Sequence, residues 1–382
     1  MTQQFPKNNN YIPQLTGIRC IAAYMVFLHH FNPVKMYHPG SFLDEFIAEF
    51  YTGVTVFFVL SGFLIAYRYM DSFTFSLRWF LKYMKNRFAR IYPMYFLLTV
   101  LTFIVLFHQQ NYDAANENGW MVFLANISFV RGFFDDLKFT GISQGWSLTV
   151  EECFYFLAPF IFILCSRYKK LFLYPLFFLT TGILLVLIFE HQNNMNGFFN
   201  SFQFMFNYTF FGRCMEFFFG IQLAIIVKKR DEHAKKISAG KFTMLGSLGM
   251  LASLMAMTIV KGTAKFAIQT PAGIIINDLV LPVFVCCFFY GLLFERTWVS
   301  KFLSSKPLVL LGKSSYIFYL IHTGVISVFI TTFFSEKNLL NYCILFILVN
   351  FISILMYKLL ENPINNLIKK ISFNKRSLAT AA

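Results

Sequence analysis

The chain has 382 residues, of which 57% are hydrophobic and 13% charged, and phenylalanine alone contributes 53. A soluble domain of this length carries roughly twice that charged fraction, so the composition excludes a soluble enzyme. The net charge of +15 first suggests a nucleic-acid binder. The basic residues instead fall in alternate loops between apolar runs, so no nucleic-acid partner is expected.

Taken in chain order, apolar runs of roughly 17–25 residues predict spans near 12–31, 47–66, 92–107, 146–165, 171–189, 202–227, 242–260, 271–294, 308–334 and 340–360. The expected fold is all-α and integral to the membrane, with about ten transmembrane helices in one bundle forming a single domain over 1–382. A tail over 1–11 precedes it, and a basic tail over 366–382 closes it. Lysine and arginine cluster between Arg68 and Arg90, Arg167 and Lys170, Lys228 and Lys241, Arg296 and Lys306, and Lys358 and Arg376. This positive-inside bias places both termini in the cytoplasm. The first run carries Arg19 and the pair His29–His30 with no small-residue cleavage pattern after it, and so reads as a retained helix. The seven cysteines lie within apolar segments, with neither a disulfide framework nor a zinc spacing, so no metal is expected.

Ionisable groups inside a bilayer are costly and tend to mark function or pair with each other. Arg19 and His30, eleven residues apart, fall within about 20° of one helix face and about 16 Å apart along the axis, while His29 points about 80° away. Snorkelling explains the arginine and an interfacial position the histidine; a buried site explains both. The segment 68–91 mixes basic and aromatic residues, as an amphipathic helix on the inner leaflet does. Arg87 and Arg90 share a face before Pro93; two planar guanidiniums suit phosphate, and equally serve as flanking positive charge. The polar loop near 108–145 is the longest external one and could cover part of a site. After it, Trp146 to Glu152 open the fourth span, with Glu151 and Tyr155 on one face. This places Glu151 at a depth similar to His30, where a carboxylate orients an imidazole and raises its basicity. Arg213 and Glu216, three apart, are explained by mutual neutralisation. In the ninth span Ser315, Tyr319 and His322 form a polar stripe expected to face the bundle interior.

These residues carry a resemblance. Leu15-Thr16-Gly17-Ile18-Arg19 followed by His30, Phe57 to Ile65 around Ser61-Gly62, Arg87-Phe88-Ala89-Arg90, Trp146 to Glu151 with Phe154-Tyr155, Arg213 to Phe217 with Gly220, and Gly312 to His322 occur in the order of a known set. The chain resembles the acyltransferase-3 family of integral membrane acyltransferases, which includes bacterial glycan and O-antigen O-acetylases. It departs at His322-Thr323-Gly324, where relatives often have proline, and at Asn362, where they often have a basic residue. The chain ends soon after the tenth span, so no appended esterase-like domain is expected.

The resemblance implies an acyl-CoA donor, most often acetyl-CoA, and a hydroxyl acceptor on a glycan or glycolipid at the outer side of a bacterial plasma membrane. Arg87, Arg90 and Arg19 are the candidate donor-binding residues, and His30 and Glu151 the candidate catalytic pair. Tyr155, His322, Tyr319, Arg213, Glu216 and Trp146 are candidates for substrate contact or structural support. Either His30 takes the proton of the acceptor hydroxyl, or it carries the acyl group itself. The rival readings are a multi-pass exporter of a glycan or lipid-linked intermediate, and a non-catalytic membrane partner. An exporter should show paired, broken repeats, and none is visible. A tag after Ala382 is expected to be protease-sensitive in inverted vesicles and protected in intact cells; the opposite pattern refutes the topology.

Overall fold

A computed structural model describes residues 11–108, 119–168, 170–192, 196–230, 240–334 and 338–371. Most of the expected N-terminal tail, 109–118 of the long loop and 372–382 of the C-terminal tail lie outside the described residues. Helix accounts for 81% of the structure, and no strand occurs among the described residues. In hydrocarbon each backbone N–H and C=O must be satisfied within its own segment, which a helix achieves.

The first helix, α1 (Pro13–His30), has proline in its first turn, where the missing N–H costs nothing. Two short helices follow, α2 (Val34–Tyr37) and α3 (Phe42–Ala48), the latter capped by Ser41, whose hydroxyl accepts from the Asp44 N–H. Then come α4 (Gly53–Tyr69) and α5 (Leu77–His108). The long loop contains α6 (Gly119–Ile127) and leads into α7 (Trp146–Tyr168) and α8 (Leu173–Phe189). Next are α9 (Phe202–Tyr208), α10 (Phe210–Lys229) and α11 (Lys241–Val260). The short α12 (Pro271–Ile275) joins α13 (Leu281–Phe294) through a π turn at Ile276–Val280. After α14 (Trp298–Leu303), α15 (Lys306–Ile321) breaks into α16 (Val325–Thr331) with a bend of 79°. Finally α17 (Leu339–Met356) passes through a second π turn, Tyr357–Glu361, into α18 (Asn362–Lys370).

Each predicted span coincides with helix, the ninth being broken at His322–Gly324, and three further differences stand out. By length and apolarity seven helical runs among the described residues are able to cross a membrane, or eight if the bent pair is one span. The runs α1 and α8 fall outside that set. Polar residues dilute the hydropathy of α1, which is nevertheless packed inside the bundle against α15 and α4. At 17 residues, α8 is about 25 Å long, slightly under the hydrocarbon thickness. Secondly, 77–91 is not a separate surface helix. It is the first half of α5, a continuous helix of 32 residues with Pro93 inside it, so Arg87 and Arg90 ride on the spanning helix itself. Thirdly, the expected tail from 366 begins as the end of α18.

One hydrophobic core extends from Ile12 to Val349. Its main contacts are α4 on α10, α11 on α13, and α1 on α15. The N-terminus of α11 is held by Glu295, whose carboxylate accepts from the N–H groups of Phe242 and Thr243, both at 2.8 Å, and from the Thr243 hydroxyl at 2.7 Å. Burial acts to raise this carboxyl's pKa, but the hydrogen bonds outweigh it and hold it below its ordinary value.

The α4–α10 contact is backbone against backbone. A Cβ on Gly62 would overlap the Phe217 carbonyl, and one on Gly220 would overlap that of Val59. Without a hydrophobic driving force between helices in lipid, such close approach supplies the packing. Gly62→Val and Gly220→Val are each expected to destabilise the bundle by about 2 kcal/mol, read as a lower thermal unfolding midpoint in detergent. A midpoint equal to wild type would show that α4 and α10 separate without cost.

Candidate functional site

The polar residues that the helical wheel gathers face two cavities at opposite ends of α1. The first, of about 280 Å³, is lined from α1 by Leu15, Thr16 and Arg19 and from α4 by Ser61, Leu64, Ile65 and Arg68. Both sets follow the spacing of a single helix face. On the other walls α5 brings Arg87 and Arg90, α7 brings Glu151 and Tyr155, α15 brings Lys313 and Tyr316, and α18 brings Lys369. The candidates Arg19, Arg87, Arg90, Glu151 and Tyr155 therefore share one chamber.

That chamber is strongly cationic. Arg19, Arg68, Arg87, Arg90, Lys313 and Lys369 line it against a single lining carboxylate, Glu151. Arg87 donates to the Tyr69 hydroxyl at 3.1 Å and lies over the rings of Tyr69 and Tyr155, at 5.3 and 5.9 Å from their centroids. The Nε atoms of Arg19 and Arg87 are buried without a hydrogen-bond partner among the described residues. Arg90 differs, because its Nη1 is engaged by Glu361, a buried carboxylate on the second π turn. An excess of guanidinium groups with unspent donors, shielded from bulk water, fits a polyphosphate ligand.

Glu151 belongs to this chamber and not to His30. Its carboxylate accepts from the Ser61 hydroxyl at 2.5 Å, and Ser61 lies 3.3 Å from the Tyr155 hydroxyl. The expected pairing of Glu151 with His30 is therefore absent. The reason is the register of α7 against α4, which turns the carboxylate toward the arginines. Glu152, its neighbour, does not line either cavity.

The second cavity, of about 700 Å³, opens at the far end of α1. His29, His30, Asn32, Lys35, Asp44 and Lys265 are among its lining residues. His29 donates from Nδ1 to the Ala48 carbonyl at 2.6 Å. His30 is exposed to the cavity and has no hydrogen-bond partner among the described residues. Lys261, beside it, is paired with Glu45 and lies 3.5 Å from Glu49.

Tyr319 and His322 line neither cavity. The Tyr319 hydroxyl is 2.9 Å from that of Ser147, at the start of α7, and His322 is fully buried. Trp146 packs edge-on against Tyr208 and Phe58, a structural position away from both cavities. The long loop folds down on this region. Arg131 is fully buried and donates to the carbonyls of Thr140 and Ile142.

Arg213 and Glu216 form a separate network. Arg213 is 2.6 Å from Glu216, donates to Thr55 at 3.0 Å, and lies 3.5 Å from Asp278. Asp278 sits on the first π turn and accepts from Asn277 at 2.6 Å, while Thr55 donates to Asn277 at 2.9 Å. One guanidinium thus ties α4, α10 and the α12–α13 junction. Asp278 escaped the sequence reading because a helical wheel at 3.6 residues per turn misplaces a residue within a π turn. Ser61 and Arg68 were missed as chamber residues, although their seven-residue spacing on the face that carries Leu64 is a signal that points to them. No cluster of three or more metal-ligating side chains occurs among the described residues.

A family model described as an acyltransferase domain matches residues 12–358. The chain is 26% identical over 376 residues to the O-acetyltransferase OatA of Staphylococcus aureus strains NCTC 8325 / PS 47, COL and MRSA252. These matches cover 93% of the chain and 57% of each relative, so the chain spans little more than half their length. No solved structure matches.

Replacing Arg213 with Met leaves Glu216 and Asp278 buried without their counter-charge, an expected loss of about 3–5 kcal/mol. Adding Glu216→Gln and Asp278→Asn should restore most of the folded yield. Equal yields of the single and triple variants would show that charge compensation does not govern this junction.

Proposed function

The chain belongs to the acyltransferase-3 family, and on that premise we propose that it is a membrane O-acyltransferase. It moves an acyl group, most simply acetyl, from cytoplasmic acyl-CoA to a hydroxyl of a glycan or glycolipid at the outer face of a bacterial plasma membrane. The observation that carries this reading is the arrangement along α1. One helix presents Arg19 to a cation-lined chamber and His30 to a separate cavity at its other end. An exporter needs one continuous or alternating path; an acyltransferase joining substrates from two compartments needs two mouths and a reactive group between them.

In this reading both termini and the Arg19 chamber face the cytoplasm, and all ten helical segments, α1 and α8 included, cross the bilayer. Arg19 and Arg87, with unspent N–H donors, hold the donor's phosphates. Arg68, Lys313 and Lys369 add positive charge at the mouth. Arg90 holds α18 through Glu361 and meets the phosphates from the edge of the chamber. Glu151, bonded by Ser61, supplies the counter-charge that keeps the chamber from excessive self-repulsion and steadies the neighbouring guanidiniums. It acts on the donor side, not as the orienting partner of His30.

At the other mouth His30 takes the proton of the acceptor hydroxyl. The oxygen forms a bond to the thioester carbonyl carbon, the carbon–sulfur bond breaks, and the proton passes from the imidazolium to the leaving thiolate. The products are an ester on the glycan and the free thiol.

His30→Ala is expected to lower transfer at least 100-fold in membranes that hold normal amounts of the protein. Arg87→Ala should act mainly on donor affinity, raising KM for acetyl-CoA about tenfold with a smaller change in kcat. Glu151→Gln should lower kcat/KM by a similar factor. Radiolabelled acetyl-CoA consumed by isolated membranes measures all three. Wild-type turnover in His30→Ala, or an unchanged KM in Arg87→Ala, would refute the corresponding role.

A further inference from the structure

His30 has a neighbour that the sequence placed on a different helix. The His30 and His322 rings lie with centroids 5.3 Å apart and planes tilted by 48°. His322 follows α15 at the break where the chain bends 79° into α16. Its ring is fixed on every side. It stacks on Phe318 with centroids 6.0 Å apart and planes within 7°, and packs beside Phe27 at 6.3 Å. Nδ1 lies 2.8 Å from the Tyr319 carbonyl. A carbonyl only accepts, so Nδ1 carries a hydrogen and donates it. In the neutral ring Nε2 then holds the lone pair, and it has no partner among the described residues although the residue is 0% exposed. A buried acceptor without a partner is rare enough to require an explanation.

The tether is itself anchored. The Tyr319 hydroxyl lies 2.9 Å from the Ser147 hydroxyl and 3.5 Å from the Gln144 carbonyl, so α7 and the long loop hold the residue that holds His322. His29, the other imidazole beside His30 with centroids 4.8 Å apart, has its Nδ1–H committed to Ala48. His30 has no such commitment.

We infer that His322 is the positioning residue of the reaction and that the working unit is a His30–His322 dyad. Rings with centroids 5.3 Å apart are within reach of each other, and a turn of the exposed His30 ring brings one of its nitrogens to hydrogen-bond distance of Nε2, about 3 Å. In that turned position the His30 N–H donates to Nε2 of His322, which leaves the lone pair of the other His30 nitrogen for the acceptor hydroxyl. When His30 takes the hydroxyl proton, its bond to Nε2 becomes charge-assisted and strengthens as the cation develops. The proton returns from His30 to the leaving thiolate, and His322 ends as it began. A neutral imidazole thus does at this mouth what a carboxylate does in other acid–base pairs.

This inference rests on His30 being the base, and the experiment separates the two claims. Full-length protein in native membranes is given radiolabelled acetyl-CoA, with the membranes' own glycans as acceptors. His322→Ala is expected to lower kcat about 100-fold with KM for acetyl-CoA unchanged. Added imidazole should recover part of the loss by entering the vacated space, and the His30→Ala/His322→Ala double variant should be no slower than His30→Ala. His322→Gln, which keeps an acceptor oxygen, should exceed His322→Ala and serves if the alanine variant is poorly folded. A His322→Ala kcat within threefold of wild type, multiplicative losses in the double variant, or equal rates for Gln and Ala without imidazole rescue would reduce His322 to a packing residue. Normal transfer by His30→Ala would overturn the base assignment and the dyad with it.

Discussion

An ion in a hydrocarbon slab must meet an opposite charge, a hydrogen-bonding group or a polar cavity, and that requirement organises this molecule. The cost of an unpaired buried charge runs to several kcal/mol, far above any single packing contact. Arg213 meets it with Glu216 and Asp278, and Arg90 meets it with Glu361. Lys261 meets it with Glu45. Arg19 and Arg87 keep buried Nε atoms without partners among the described residues, and both line a chamber. The first group reads as scaffold and the second as site, with Arg90 common to both because it is paired with Glu361 and also lines the chamber.

The two π turns serve that scaffold. Each occurs where a spanning helix delivers a buried acid to an arginine on another helix: Asp278 to Arg213, and Glu361 to Arg90. A widened turn shifts a side chain around the helix relative to its α-helical neighbours. Bonding then compensates the local distortion. The Arg90–Glu361 pair also ties α5 to the start of α18, which carries Lys369 into the cationic chamber. Lys85 reinforces this by donating to the carbonyls of Lys369 and Ile371 at the end of α18, at 3.1 and 2.7 Å.

The histidines solve a different problem. At the far end of α1 the lining carboxylates Asp44 and Glu45 are engaged by Asn32 and Lys261, and Glu151 is drawn to the arginines, so the imidazoles are left. His322 is held by a main-chain carbonyl, two aromatic rings and a helix break. Such a ring has little rotamer freedom left to lose, which is what a positioning group needs. The break after His322 falls at Thr323-Gly324, where relatives often have proline, and the Thr323 hydroxyl lies 3.2 Å from that of Ser143 on the long loop. The loop and the helix break therefore meet at the same point.

Composition and apolar periodicity by themselves determined the helical membrane architecture, because hydrocarbon admits few backbone solutions and a spanning helix must be long and apolar. They also determined which residues share a helix face: the Arg19 chamber follows spacings of three, four and seven along α1 and α4. Tertiary structure alone decided which faces meet. A wheel gives an angle but not a partner, so Glu151 at a plausible depth was assigned to His30, whereas packing of α7 on α4 gave it to Ser61 and the arginines. Asp278 and Glu361 were displaced by π turns that no regular wheel contains. His322 and His30 lie 292 positions apart in the chain, and their approach depends on α15 packing against α1, a contact between elements that local sequence pattern does not encode.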